Sequence, residues 1–178
     1  MLNDINISEW ETERLVLNLT TEEDFESLAK MLLDQDVTKY LSEHYFKITT
    51  IENAKLFLKS ILSNYLLTFT IRNKSTHEII GQIGYSSNES GYGSGCEYEG
   101  KSLDIFYWLG KKYQGQGYGS EATVELSHEI FKHSTRSIFS ISFHVDNIGS
   151  RKLAYKIGMR MLEEHPEWIV VDKEDKIT

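Results

Sequence analysis

The stretch that decides the fold runs from Tyr107 to Leu126, YWLGKKYQGQGYGSEATVEL. It passes from aromatic and apolar residues through two lysines to glycines at alternate positions, Gly115, Gly117 and Gly119, and then into a helical pattern. Glycine weakens both helix and strand interiors, so this spacing suits neither. Upstream, LDIFYWL is a short, nearly continuous apolar run, as expected of a central strand buried on both faces. Downstream, a helix from about Ser120 to His133 puts Ala122, Leu126 and Ile130 on one side. Lys132 and His133 fall near its C-terminal end, where positive charge is favourable. A helix N-terminus carries unpaired N–H groups and a partial positive charge. Glycines let those N–H groups approach an anion and permit positive φ. The stretch therefore reads as a phosphate cradle at the carboxyl end of a strand, with an empty tight turn as the plainer alternative.

Two common phosphate loops are excluded. The dinucleotide fingerprint G-x-G-x-x-G, started at Gly115, meets Ser120 at its third glycine. The P-loop needs Gly-Lys-Ser/Thr, and no such triplet exists here. Gln114-Gly115-Gln116-Gly117-Tyr118-Gly119 has instead the form Gln/Arg-x-x-Gly-x-Gly/Ala.

Working outward, Leu15, Leu17 and Leu19 alternate as a strand. Thr20 with Glu23 forms a capping box for a helix that presents Phe25, Leu28, Ala29, Leu32 and Leu33. Thr49 with Glu52 opens a second helix, whose Ala54, Leu58, Ile61 and Leu62 share a face. The connection DQDVTKYLSEHYFKI is too polar and irregular for a core element, and such connections often line sites. Leu67, Phe69 and Ile71, the turn NKSTHE and IIGQIGY read as a hairpin. A Gly/Ser-rich loop, SSNESGYGSGCEYEGKS, leads to the central strand. Beyond the glycine helix, SIFSISFHV alternates, with Ile138, Ser140, Ser142 and His144 on one face. DNIGS starts a short helix over RKLAYKIG that Gly158 closes, and RMLEEHPEWIVVD makes a last hairpin turning at His165-Pro166. The pattern predicts one mixed α/β (α+β) domain over residues 1–178.

Composition bounds the chemistry. The 178 residues suit one domain with a sizeable core, and 40% hydrophobic content is that of a globular chain. A net charge of −8 argues against nucleic acid as a partner and is compatible with a cationic amine. Cys96 is the one cysteine, so no internal disulfide forms, which fits a reducing compartment. MLNDINISEW has no apolar core of signal-peptide length, and no apolar run approaches the roughly 20 residues that span a bilayer. The expectation is a cytoplasmic protein without a membrane partner. His128 and His133 are five residues apart, off the helical spacing for paired ligands, so no metal site is expected. His144 reads as structural or partly exposed.

The segment Tyr107-Trp108-Leu109-Gly110 with Tyr113-Gln114-Gly115-Gln116-Gly117-Tyr118-Gly119-Ser120-Glu121-Ala122 resembles the acyl-CoA pyrophosphate loop of the GNAT superfamily of N-acetyltransferases. More narrowly it resembles the branch of the ribosomal-protein N-terminal acetyltransferases, the RimJ/RimL type. Thr12-Glu13-Arg14-Leu15-Val16-Leu17 with Thr21-Glu22-Glu23-Asp24 matches that branch's opening. Asp146-Asn147-Ile148-Gly149-Ser150 with Lys156-Ile157-Gly158-Met159 matches its closing motif, with Met159 where phenylalanine is usual. The resemblance implies a central, mostly antiparallel sheet, splayed at the cofactor strand, with helices on both faces. It implies direct attack of a primary amine on acetyl-CoA in a ternary complex.

The resemblance also assigns roles. Gln114, Gly115, Gln116, Gly117, Tyr118, Gly119 and Ser120 would meet the pyrophosphate. Tyr107, Trp108 and Leu109 would run beside the pantetheine arm, with the Leu109 N–H as oxyanion donor. Asn147 and Ser150 would contact the cofactor or simply cap a helix. Gln114 stands where many relatives carry arginine. Lys111, Lys112, Arg151 and Lys152 would meet the 3′-phosphate or remain solvated. Asp104 reads as general base or as a strand-end charge. Tyr155 reads as general acid, although relatives carry the tyrosine one position earlier, where Ala154 stands, and one helical step turns a side chain by about 100°; Ser150 or solvent is the alternative donor.

Candidate acceptor residues are Asp34, Asp36, Tyr40, Glu43, His44 and Tyr45, joined by Glu97 and Glu99, since carboxylates with tyrosines suit a cation. The acceptor is a protein N-terminus or a small amine such as a polyamine, amino acid or aminoglycoside. The rival is an acyl-CoA sensor without turnover. The chain stops early for the branch, so the last strand is expected to be short or completed by a partner, as in a homodimer.

Overall fold

The computed structural model of the protein describes residues 8–41, 48–64, 67–87, 102–133, 138–164 and 168–174. Eight strands form one sheet in the order β1-β2-β3-β4-β5-β6-β8-β7. They are β1 (Glu9–Glu11), β2 (Leu15–Leu19), β3 (Leu67–Asn73), β4 (Ile79–Ser87), β5 (Ser102–Leu109), β6 (Ile138–His144), β7 (Arg160–Glu164) and β8 (Trp168–Glu174). Every neighbouring pair is antiparallel except β5–β6. The mixed α/β expectation holds. β1 is an addition: EWE was given no strand, yet Trp10 packs edge-on against Phe69 at 4.5 Å and anchors it. β8 pairs with β6 at seven positions and also with β7, so the last strand is neither short nor at an edge.

Helices cover both faces. One cluster joins α1 (Phe25–Leu32) and α3 (Ile51–Asn64) to Trp108 of β5. The other joins α4 (Tyr118–His133) and α5 (Ile148–Lys156) to Leu103, Ile105 and Leu109. Alternate residues of β5 thus feed opposite cores, which is why its sequence is apolar almost throughout.

Both helix starts fall one residue later than expected. Thr20 still bonds across the sheet, its N–H donating to the Thr68 carbonyl at 2.9 Å, so the capping box is Thr21 with Asp24. Asp24 is buried there, accepting from the Thr70 hydroxyl at 2.7 Å and pairing with Arg72. Thr50 rather than Thr49 accepts from the Asn53 N–H, at 3.1 Å. Leu33 lies past the end of α1 and is exposed, and Leu62 is only half-buried. The connection read as too polar and irregular for a core element contains a short helix, α2 (Gln35–Thr38), which Asp34 caps and which buries Val37. The glycine helix begins at Tyr118, two residues early, and α5 begins at Ile148. Gly158 ends α5 with φ +84°, as its position implied. Cys96, Glu97 and Glu99 with their Gly/Ser-rich loop, Glu43, His44 and Tyr45, and the His165-Pro166 turn lie outside the described residues.

Candidate active site

The site begins as a break in the sheet. β5 and β6 pair only at Ser102↔Ile138, Leu103↔Phe139 and Asp104↔Ser140, and then diverge. The Gly110 N–H donates to the Ile80 carbonyl at 2.9 Å, which sets the phase of the β4–β5 ladder. Antiparallel residues alternate in the side to which they turn their backbone groups. Phe106, Trp108 and Gly110 turn theirs to β4, so Tyr107 and Leu109 turn theirs to the edge that β6 has left. β4 in turn approaches β5 so closely at Gly81 that a Cβ there would stand 2.2 Å from the Trp108 carbonyl. The opened wedge is a cleft of about 1180 Å³.

The glycine loop closes one end of this cleft. Gly115 and Gly117 have φ of +73° and +85°, a conformation that costs an L-residue roughly 1–2 kcal/mol. Gln114, Gly115, Gly117, Gly119 and Ser120 line the cleft. Gln114 contributes structure more than charge: its side-chain amide donates to the Leu109 carbonyl at 3.0 Å, tying the loop to the end of β5. Gln116 and Tyr118 are not in the cleft wall. The Gln116 amide donates to the Lys112 carbonyl at 2.6 Å, and the Tyr118 ring lies under Arg14. Both side chains are thus engaged elsewhere, and the expectation for these two residues rests on their backbone N–H groups. Of the four cations considered for the 3′-phosphate, Lys111 and Lys152 line the cleft, whereas Lys112 faces Tyr113 and Glu78, and Arg151 donates to the Val145 carbonyl at 3.2 Å.

Tyr107 and Trp108 take opposite sides of the sheet. Trp108 belongs to the α1/α3 cluster, and its indole N–H donates to Gln82 Oε1 at 3.2 Å. Tyr107 packs toward α4 and α5, and its hydroxyl donates to Ser150 Oγ at 2.9 Å. Burial pushes the Tyr107 phenol up to about 12, with the Ser150 bond opposing slightly, so it stays a neutral donor. Asn147 both lines the cleft and caps α5, its Oδ1 accepting the Ser150 N–H at 3.1 Å.

Asp104 stands in the cleft wall where β5 and β6 part, accepting a hydrogen bond from the Ser140 hydroxyl. Burial raises its carboxyl pKa, and the Ser140 bond offsets only part of that. A carboxylate so held is a better proton acceptor than a solvated one. Tyr155 is 51% exposed, and α5 presents Gly149, Ser150, Lys152 and Leu153 to the cleft instead. The buried neighbour Ala154 occupies the inward position, so one helical step removes Tyr155 from the site. The paired hydroxyls of Tyr107 and Ser150 were not anticipated: strand alternation places Tyr107 on the α5 side, but only the fold brings residues 43 apart together.

The acceptor side also departs from expectation. Asp34 is spent as the cap of α2, its Oδ1 accepting the Asp36 N–H at 2.9 Å. Asp36 binds Lys111 at 2.9 Å and Lys39 at 3.1 Å. These lysines hold the Asp36 carboxyl below its ordinary pKa, and neither aspartate waits unpaired for a cation. Tyr40 does line the cleft and stacks on His144 at 5.5 Å, while Val37, Leu41, Phe57 and Ile61 make the surrounding wall apolar. Among the described residues no group of three or more histidine, cysteine or acidic side chains is placed to hold a metal, and no helix is long and apolar enough to cross a membrane.

A splayed β5–β6 pair with a glycine loop at the head of the following helix is the arrangement that the sequence resemblance implies. The acetyltransferase (GNAT) domain family matches residues 14–160, and the chain belongs to that family. It is 31% identical over 153 residues to the uncharacterized N-acetyltransferase p20 of Bacillus licheniformis, covering 84% of this chain and 80% of that one. A GNAT-family acetyltransferase from Bacillus anthracis has the same fold at TM-score 0.75 and 21% identity, over 93% of this chain and 98% of that chain. RimL, a ribosomal L7/L12 N-terminal acetyltransferase solved with coenzyme A, aligns at TM-score 0.71 and 17% identity, over 92% and 95% of the two chains.

Proposed function

We propose that residues 1–178 form one acetyl-CoA-dependent N-acetyltransferase domain that acts on a primary amine, with a protein N-terminus as the acceptor class. The observation that carries this reading is the open edge of β5 at Tyr107 and Leu109, continued by a loop with two glycines at positive φ. An extended amide-bearing arm fits the first, and a pyrophosphate fits N–H groups that side chains do not cover. When bound, acetyl-CoA supplies the activated acetyl thioester.

The chain's own residues divide the remaining work. Gly115, Gly117, Gly119 and Ser120 receive the pyrophosphate, and Lys152 adds positive charge to the same cleft, where Lys111 is paired with Asp36. The Leu109 N–H is the oxyanion donor, because it faces the opened edge of β5, while the Leu109 carbonyl accepts from Gln114. Asp104 takes a proton from the acceptor ammonium through a water, and the free amine so formed attacks the thioester. Ser150 accepts from Tyr107, which leaves its own O–H to stabilise the departing thiolate. The N-terminal acceptor rests on the match of the opening and closing motifs to the RimJ/RimL type and on the RimL-like neighbour.

The test is release of CoA thiol from acetyl-CoA across short peptides with varied N-termini, polyamines, amino acids and aminoglycosides. Peptide-dependent release supports the full reading. Release with a small amine alone keeps the enzyme and replaces the acceptor. Binding of acetyl-CoA with no release across the panel and with folded ribosomal proteins favours an acyl-CoA sensor.

A further inference from the structure

Arg14, the residue before β2, is not in the cleft wall and contacts both the glycine loop and the helix that follows it. Its backbone N–H donates to Glu121 Oε1 at 2.9 Å and its Nε donates to Glu121 Oε2 at 2.7 Å. A second guanidinium nitrogen reaches Glu121 Oε2 at 2.6 Å. The remaining arm, Nη1, donates to the Gln116 carbonyl at 3.1 Å. The guanidinium plane sits 4.5 Å from the centre of the Tyr118 ring. Thr12 adds a hydroxyl to Glu121 Oε1. Glu121 is therefore a fixed anchor: burial pushes its carboxyl pKa up, but the bonds from Thr12 and Arg14 outweigh that and hold it below the ordinary value.

The bond to Gln116 has a directional consequence. A trans peptide points its C=O and N–H to opposite sides, and no cis bond is present among the described residues. The Gln116 carbonyl and the Gly117 N–H belong to one such peptide. Drawing the carbonyl back toward Arg14 turns the Gly117 N–H away from Arg14, toward the cleft that Gly117 lines. Glu121 neutralises the guanidinium, so Arg14 offers the pyrophosphate little net charge. Its fork spans two partners that a single ammonium cannot bridge.

We propose that Arg14, anchored by Glu121, is a positioning residue that sets the orientation of the Gln116–Gly117 peptide for the donor's pyrophosphate. This rests on the acetyl-CoA reading above and adds to it a residue from the other end of the chain. Loss of the fork lets the peptide rotate through ψ of Gln116 and φ of Gly117, and glycine has the widest freedom to follow. The cost falls on phosphate binding and not on the pantetheine arm.

Calorimetric titration of the full chain with acetyl-CoA, with S-acetylpantetheine in competition as a donor lacking the pyrophosphate, needs no acceptor. R14K keeps the charge and loses the fork; it is expected to weaken acetyl-CoA about tenfold, the size of one charge-assisted hydrogen bond, and to leave S-acetylpantetheine within about twofold. E121Q should weaken acetyl-CoA in the same direction by less, and the two changes together should cost less than the product of their separate effects. E121Q also carries the test if R14K melts below the assay temperature. Equal weakening toward both donors, or full acetyl-CoA affinity in R14K, overturns the proposal. Failure of the parent chain to bind acetyl-CoA at all overturns the underlying reading instead.

Discussion

The two flanks of the cleft are built from different material. The donor flank is backbone: an opened strand edge at Tyr107 and Leu109, and two glycines at positive φ. The acceptor flank is side chains: Asp104 on Ser140, Trp108 on Gln82, Tyr40 on His144, and Asp36 between two lysines. A backbone-built surface recognises what every substrate of the family shares, whereas a side-chain surface can differ with each acceptor. The groups we propose as catalytic straddle the two, with Asp104 on the α1/α3 side of β5 and the Tyr107–Ser150 pair on the α5 side.

The sharpest way to break this division is Asp104→Asn. It should lower kcat by about 100- to 10,000-fold, the range of a general base, while acetyl-CoA affinity stays near the parent value. In the parent, the rate should fall as pH drops through an Asp104 pKa above its ordinary value, and the residual activity of the variant should lack that limb. Stability should move the other way. The folded pKa lies above the unfolded one, so Asp104's contribution to folding is fully present below the unfolded pKa and is lost as pH rises through the folded pKa. The variant should therefore gain melting temperature over the parent at neutral pH and lose that advantage in acid.

Gly117→Ala tests the backbone flank. Alanine at φ +85° is strained and places its Cβ 3.4 Å from Arg14, so acetyl-CoA affinity should fall about tenfold. Unchanged affinity by calorimetry would remove the pyrophosphate from this loop. Tyr107→Phe keeps the ring and removes one donor. It should lower kcat several-fold, up to about tenfold, with donor affinity intact, as expected for one hydrogen bond felt mainly as thiolate charge develops. Tyr155→Phe is the smallest change: steady-state rates should match the parent within about twofold, since the exposed hydroxyl stands outside the cleft.

The same division explains what could be read in the sequence. Glycine spacing, strand alternation and helix starts report backbone geometry, and the donor flank is made of it. The loop, the central strand and the helix after it were legible in the sequence from Leu103 to Leu126, and so was the place of Asp104 on that strand, while its role as base remains our proposal. Side-chain partnership was not. Asp34 and Asp36 looked available for an amine, yet one caps α2 and the other is neutralised by Lys39 and Lys111, a residue 75 positions away in the chain. Tyr155 looked like the acid because a tyrosine near that position is common in the family, but a helix resolves single positions and Ala154 holds the inward one. Thr20 missed its cap by one residue because strand pairing, which no local motif encodes, continues through it.

The measurement that tests the central claim most directly is amide hydrogen exchange, read by NMR at Tyr107 and Leu109 with and without acetyl-CoA. If the opened edge of β5 receives the donor's arm, both amides become strongly protected on binding, while Trp108, already bonded to β4, changes little. Binding that leaves the exchange of Tyr107 and Leu109 unchanged would contradict the account and move the donor out of the cleft.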